Sequence, residues 1–197
     1  IGKRATFRPK LLLALPGGMA PSERQTLVDV LVDAGVRSVV PVDESVASAI
    51  GAGMRIDQPY GRMNIDIGGG RTNVSVFSFG HQIVWDILNV GGDRFDDAII
   101  DYLRKKHNLL IGARTAEELK IDIGSARMRG VKLEMDACGR SLVSGLPRAV
   151  TVSSEEMIEA LDEPLRDLMS ALHRMIERTP PELGMHGSSE KSPLMTG

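Results

Sequence analysis

The stretch Asn64-Ile65-Asp66-Ile67-Gly68-Gly69-Gly70-Arg71-Thr72-Asn73 carries an apolar strand through an aspartate into three glycines and a polar trio. The residues that follow, Val74-Ser75-Val76-Phe77-Ser78-Phe79, are β-branched and aromatic with rough alternation. The chain is therefore expected to leave the glycines as a second strand, and the glycines to close a hairpin. A dinucleotide fingerprint needs a third spaced glycine and a helix after the turn, and a Walker loop needs Gly-Lys-Ser/Thr. Neither is present. In a glycine hairpin, residues without side chains let backbone N–H groups approach phosphate oxygens, while a carboxylate at the strand end can hold the waters of a Mg2+ ion. The stretch predicts a phosphate-and-metal site; the bland alternative is a glycine-rich turn beside a solvated aspartate.

The rest of the composition narrows the class. With 197 residues, 42% hydrophobic and 25% charged, the chain has material for one large or two small cores. A net charge of -2 and only 4% aromatics argue against a nucleic-acid partner, which needs a basic footprint or stacking platforms. Cys138 is the only cysteine, so no intrachain disulfide or zinc spacing exists, and a reducing cytoplasm fits. No apolar run approaches a membrane span, and the opening Ile1-Gly2-Lys3-Arg4 lacks a signal-peptide core. Ile1 is not an initiator methionine, which points to a longer parent protein.

Upstream of the hairpin, Leu11-Leu12-Leu13-Ala14-Leu15 is an apolar run stopped by Pro16-Gly17-Gly18 and reads as a strand buried on both faces. Pro21 and Ser22 open a helix with Leu27, Val28, Leu31 and Ala34 on one stripe, closed by Gly35, and residues 36–42 return as a strand. That strand–helix–strand unit implies a right-handed crossover and a partly parallel sheet. A short helix is expected over 43–54, where Gly51-Ala52-Gly53 would admit a neighbouring backbone, and Pro59 marks 56–61 as a linker.

Downstream, residues 82–90 make a third strand and Gly91-Gly92-Asp93 opens a helix through Phe95, Ala98, Ile99 and Leu103. Its terminal Lys105-Lys106-His107 complements the helix dipole and reads as a solvated end. Thr115-Ala116-Glu117-Glu118 has the capping-box pattern with Thr115 as N-cap, and residues 131–152 alternate as two strands around Gly139. Ser153 and Glu156 form a second capping box before a long helix. That helix carries a core stripe of Met157, Ile158, Leu161, Leu165, Leu168, Met169, Leu172, Met175 and Ile176. Methionines there fill gaps in a core. The tail from Gly184 to Pro193 is poor in apolar residues and is expected to be mobile, while Leu194-Met195-Thr196-Gly197 can start one more element.

This ordered set resembles the MreB family of bacterial actin homologues, within the superfamily of actins, sugar kinases and heat-shock chaperone ATPases. Asp66 to Gly70 resembles that family's second phosphate loop, and the run from Val42 to Gly51 its connecting helix. The runs from Gly91 to Ile100 and from Leu110 to Lys120, and Pro180-Pro181-Glu182-Leu183 after the long helix, are similar to more family-specific segments. The resemblance extends to about Leu183. It implies an α/β, actin-like ATPase fold with ribonuclease H-like mixed sheets flanked by helices, here partial. Residues 1–60 would be the C-terminal part of the first domain and 61–197 the second domain, with a small subdomain inserted at about 95–153, the two domains facing each other across an ATP cleft.

The same resemblance implies Mg2+ and ATP as cofactors, and assembly into paired filaments. These would lie on the inner face of the cell membrane, cytoplasmic and peripheral, and work with cell-wall synthesis and cell-shape membrane proteins. Asp66 would orient Mg2+ waters, and Gly68, Gly69 and Gly70 would cradle the β- and γ-phosphates with backbone donors. Arg71 and Thr72 complete that loop. Glu44 would orient the attacking water as the catalytic carboxylate; the alternative is a helix-start carboxylate stabilised by the dipole. Gly92 and Asp93 would line the cleft, and Glu117 and Lys120 would meet ribose and adenine, although an exposed ion pair gives the same spacing.

Three departures bear on activity. Arg71 stands where the family usually has a threonine near the γ-phosphate, so weakened hydrolysis with binding retained is expected; an arginine there can pair with the γ-phosphate and stabilise transition-state charge, or fill the water site or turn to solvent. The family's first phosphate loop lies upstream of Ile1, and its third glycine-rich segment should begin at Thr196-Gly197. If these 197 residues were the whole polypeptide, nucleotide affinity should fall by several contacts worth about 0.5–1.5 kcal/mol apiece. The third departure is the polar stretch from Ser188 to Pro193, where the family has a helix end and a strand; Pro193 suits only an edge. Phe7, among the four cations Lys3, Arg4, Arg8 and Lys10, is a weak peripheral membrane anchor or part of a solvated basic terminus. Two other functions compete with the filament: a small-molecule kinase of the same superfamily, for which Asp93 is the one candidate base, and a nucleotide-blind structural relative.

Overall fold

The computed structural model describes residues 8–128, 130–183 and 194–196. The segment around Phe7, the tail from Gly184 to Pro193 and Gly197 lie outside the described residues. In chain order the elements are β1 (Lys10–Leu15), α1 (Pro21–Asp33), β2 (Ser38–Asp43), α2 (Glu44–Gly51), β3 (Arg62–Ile67), β4 (Thr72–Ser78) and β5 (His81–Leu88). There follow α3 (Gly92–His107), β6 (Leu109–Leu110), α4 (Ala113–Ile123), β7 (Glu134–Ser141), β8 (Pro147–Ser153), α5 (Ser154–Arg178), a 3-10 turn at Pro181–Leu183, and β9 (Leu194–Thr196). Among the described residues no helix is long and apolar enough to cross a membrane. Two compact units divide the chain: one holds the residues up to Asp66, Asn73–Ile87 and the segment from Thr179 on, the other Ile67–Thr72 and Leu88–Arg178.

In the first unit, β1 and β2 pair in parallel with Leu12 opposite Val40. A parallel pair needs a crossover, and α1 supplies it between them. β1 is not buried on both faces as its apolar run led us to expect. Leu11, Leu13 and Leu15 turn inward while Lys10, Leu12 and Ala14 turn out, leaving Leu12 68% exposed and Val40 56%. Side chains alternate along a strand, so this pattern marks a sheet covered on one face only. Pro41, which cannot donate to a ladder, sits in β2 at the sheet's margin.

The strand buried along its whole length is β4, which lies between β5 and β3 in a four-stranded sheet of order β5-β4-β3-β9. Its Phe77 packs with Ala49 of α2 and Met54. β9 adds to β3 in parallel, with Thr196 opposite Asp66, so Leu194 to Thr196 does begin a further element. Among the described residues the Gly51–Gly53 turn admits no neighbouring backbone, since none of their heavy atoms lies within 4 Å of a Cβ built at Gly51 or Gly53. Gly53 serves instead as the residue at φ +81 that ends α2.

The second unit has its own core: Ile99 and Leu103 of α3, Leu119 and Ile123 of α4, and Met157 and Leu161 of α5 close over the antiparallel sheet β6-β7-β8. The strands turn after Ser141, not at Gly139. Gly139 lies inside β7, where an added Cβ would stand 2.5 Å from the Leu110 carbonyl oxygen, so glycine there lets β6 come close. Helix α4 starts at Ala113 with Gly112 as its cap, which puts Thr115 inside the first turn and corrects the expected capping box. The box at Ser153 is present: its amide donates to Glu156 Oε2 at 3.1 Å and the Glu156 amide donates to Ser153 Oγ at 3.4 Å. Of the expected α5 stripe, Met157, Leu161, Leu168 and Met175 are buried, whereas Met169 and Ile176 are about half exposed. The basic end of α3 is tied to α5 through Lys106–Glu159 at 2.8 Å and His107–Glu156 at 2.6 Å.

Candidate functional site

Most of the expected site residues fall in the second unit, around the loop that joins β3 to β4. The Gly68 amide donates to the Arg71 carbonyl at 2.9 Å, which closes the hairpin and takes that amide out of use as a ligand donor. The loop is then stapled to the start of α3: the Gly92 amide donates to the Gly68 carbonyl at 2.9 Å and the Asp93 amide to the Gly69 carbonyl at 2.8 Å. Two of the N–H groups that a helix leaves unpaired at its start are thereby satisfied by loop carbonyls. Among the described residues the amides of Gly69 and Gly70 take no partner. Gly68, Gly69, Gly70 and Asp93 are all exposed.

Gly69 and Gly70 are not required by the chain itself, whereas a Cβ at Gly68 would press on the Arg71 carbonyl oxygen at 3.3 Å. Gly68, Gly69 and Gly70 are absent from the positive-φ glycines among the described residues, and a Cβ at Gly69 or Gly70 would meet only the Asp93 carboxylate, at 3.5 and 3.9 Å. Gly91 is the opposite case, because a Cβ there would lie 2.4 Å from the Gly69 carbonyl oxygen, 2.5 Å from that of Gly68 and 2.7 Å from the Arg71 nitrogen. Sequence reasoning took Gly91 only as part of a helix opening. Its Gly-Gly doublet was the available signal, but the contact that demands it is tertiary.

The other loop residues are placed as follows. Thr72 is fully buried and its hydroxyl donates to the Val90 carbonyl at 2.6 Å, so it anchors the base of the loop. Arg71 is half-buried. Lys120 reaches back to α3, pairing with Asp96 at 2.9 Å and donating to the Gly92 carbonyl at 3.2 Å, while Glu117 of the same helix is exposed. Lys120 therefore has a partner other than Glu117. A groove of about 580 Å3 between α3 and α5 is lined by Arg94, Tyr102, Lys106, Glu159 and Glu163 among others. Its charges are of both signs and largely paired within the groove.

In the first unit, Glu44 opens α2 directly after Asp43, whose carboxylate accepts from Arg24 at 2.6 Å. Asp66 lies near the end of β3, half-buried, and its Oδ1 accepts from the Thr196 hydroxyl at 3.1 Å. Thr196 Oγ1 stands 3.2 Å from Ser48 Oγ, and the fully buried Asn64 donates from Nδ2 to Ser48 Oγ at 2.8 Å. Sequence reasoning missed Ser48 and Asn64. The signal for them was a small polar residue in an otherwise apolar helix stripe and an amide in an apolar strand. Among the described residues no three His, Cys, Asp or Glu gather as a direct metal cage. A lone carboxylate such as Asp66 suits a Mg2+ ion held through its waters, which binds few protein ligands beside substrate phosphates.

The family model "MreB/Mbl protein" matches residues 1–197. The Escherichia coli K12 "Cell shape-determining protein MreB" is 41% identical over 189 residues, covering 96% of this chain and 54% of that protein. The Bacillus subtilis "Cell shape-determining protein Mbl" is 39% identical over 176 residues, covering 89% and 53%. The chain thus spans about half the length of the curated relatives it matches. Crystal structures of MreB5 of Spiroplasma citri bound to AMPPNP and to ADP superpose with TM-scores of 0.83 and 0.84 at 38% identity, covering 87% and 88% of this chain and 52% and 53% of theirs. The double helical filament of MamK shares the fold at 15% identity, with a TM-score of 0.68 over 89% of this chain and 52% of that one. The architecture is accordingly actin-like α/β, and the chain belongs to the MreB/Mbl family.

Proposed function

We propose that this chain is the nucleotide-sensing part of an actin-like cytoskeletal protein that binds Mg-ATP and assembles into membrane-associated filaments organising cell-wall synthesis and rod shape. The observation that carries the reading is the exposed Gly69-Gly70 turn. Its amides are unbonded among the described residues, its Cβ positions meet only the Asp93 carboxylate, and the carbonyls of Gly68 and Gly69 are pinned to α3. Backbone N–H groups fixed in that way can receive phosphate oxygens without reorganising. The relatives support the same reading, since MreB5 was solved with AMPPNP and with ADP.

Within this proposal Mg2+ supplies charge neutralisation between phosphate and carboxylates, with Asp66 holding its waters. Asp93, facing the same turn, would repel a bare polyphosphate, so Mg2+ and nucleotide should each tighten the other's binding. Glu44 orients the attacking water. Thr72 acts by anchoring the loop, Glu117 meets the ribose, and Lys120 contacts the base while tethered to α3. Residues 1–60 and 61–197 belong to the two actin-like domains, with the inserted subdomain at about 95–153. Arg71 favours binding over turnover, and the filaments lie on the cytoplasmic face of the membrane beside cell-shape proteins.

Sedimentation with and without Mg-ATP, paired with phosphate release, tests the proposal. Pelleting that depends on Mg-ATP supports it, and nucleotide-independent behaviour together with no nucleotide binding refutes it. The kinase reading keeps one observation, the Asp93 carboxylate beside Gly69 and Gly70; ADP production that depends on an added sugar would favour it.

A further inference from the structure

Three hydrogen bonds run in series through the first unit and end on Asp66. Asn64 Nδ2 lies 2.8 Å from Ser48 Oγ, Ser48 Oγ 3.2 Å from Thr196 Oγ1, and Thr196 Oγ1 3.1 Å from Asp66 Oδ1. They tie the consecutive elements α2 and β3 to β9, which is far from both in sequence. The proton direction follows from counting. A carboxylate can only accept, so the single hydroxyl proton of Thr196 goes to Asp66. Thr196 must then accept from Ser48, whose own proton is thereby spent, and Ser48 must accept from the Asn64 amide. Only this sense supplies a proton to every link.

We propose that Asn64, Ser48 and Thr196 form a one-way hydrogen-bond relay that fixes the orientation of the Asp66 carboxylate, and that they are positioning residues for the metal waters it holds. The inference rests on the reading of Asp66 as the Mg2+-orienting residue. Each bond in such a chain polarises the next toward the anion, and burial strengthens the effect. Asn64 has no exposure at all and, among the described residues, its Oδ1 has no partner, an arrangement that costs stability relative to an apolar side chain. What the amide adds over an apolar residue is the donor at the head of the relay. Thr196 delivers its proton from the neighbouring strand, at the register position opposite Asp66.

The test uses the full chain and a fluorescent ATP analogue, titrated in Mg2+ and in EDTA, for wild type, Ser48→Ala, Thr196→Val, Thr196→Ser and the double variant Asn64→Leu with Ser48→Ala. Thermal melts of each variant are recorded alongside. The ratio of the two affinities should fall about tenfold in Ser48→Ala and Thr196→Val, the scale of one charge-assisted hydrogen bond, with the EDTA affinity unchanged. Thr196→Ser should restore the ratio, because the hydroxyl is what matters. The double variant removes donor and acceptor together, so it should melt no lower than Ser48→Ala yet still lose the Mg2+ dependence. If the wild type binds more tightly in Mg2+ and the variants keep that ratio within twofold, the relay has no positioning role and the inference is wrong. If the wild type itself binds equally in Mg2+ and EDTA, the Mg2+ reading of Asp66 falls, and the purpose assigned to the relay falls with it.

Discussion

Gly91 and Gly69 share one loop system and are glycines for opposite reasons. At Gly91 the surrounding backbone forbids a Cβ, with three backbone atoms inside 2.7 Å, whereas at Gly69 the nearest atom is a carboxylate oxygen 3.5 Å away. Gly91→Ala should therefore force the loop off α3 and cost about 1–3 kcal/mol or more, measured as a fall in the urea midpoint. Gly69→Ala should leave the midpoint unchanged or raise stability by about 0.4–1 kcal/mol through the unfolded chain, yet weaken binding of the ATP analogue by about tenfold or more. A Gly69→Ala protein that binds the analogue as well as wild type would remove the reason for reading this turn as a phosphate cradle. The three consecutive glycines were legible because local sequence carries the hairpin. Gly91, Ser48 and Asn64 were not, because each owes its identity to a partner on another element.

At the level of elements, the end of α3 and the start of α5 meet at Glu156. Burial alone would raise its carboxyl, but hydrogen bonds from the His107 ring and the Ser153 amide outweigh that and hold it below its ordinary value. A carboxyl depressed in the folded state contributes stability that is complete above the unfolded value, about 4.3, and is lost as pH falls through the lower folded value. The melting-temperature gap between wild type and Glu156→Gln should accordingly be widest near neutrality and shrink below about pH 4. A gap that stays constant into acid would show that Glu156 acts through its cap geometry alone. Element existence was largely legible here, since the Ser153–Glu156 box and the α5 periodicity come from adjacent residues. Burial was not: β4 carries Thr72, Asn73, Ser75 and Ser78 and is buried throughout, with Val90 as partner for Thr72, Gln82 for Ser75 and Gln58 for Ser78, while the Asn73 Oδ1 is buried without a partner among the described residues. The pure apolar run of β1 is half exposed, since what covers a face is decided by other elements.

Taken as a whole, the chain is unequally finished. The second unit encloses a continuous core, but in the first the parallel pair β1–β2 shows Leu12 and Val40 side by side on an open face, and α1 buries no residue completely, with Val30 and Val32 exposed. Apolar residues grouped on one face favour association, and a parallel pair whose outer margins take no further strand among the described residues offers its backbone as well. We expect the chain to self-associate in a concentration-dependent way without nucleotide, and Leu12→Lys with Val40→Lys to shift the sedimentation-velocity distribution to smaller species. The same double variant should keep its affinity for the ATP analogue within about twofold, because neither residue belongs to the loop and the cost of an exposed substitution is small. If the distribution does not change, the open face is not the route of association. The two kinds of assembly are then separable: contact through Leu12 and Val40 is blind to Mg-ATP, and filament formation is the part of the pelleting that Mg-ATP switches on and the double variant leaves intact.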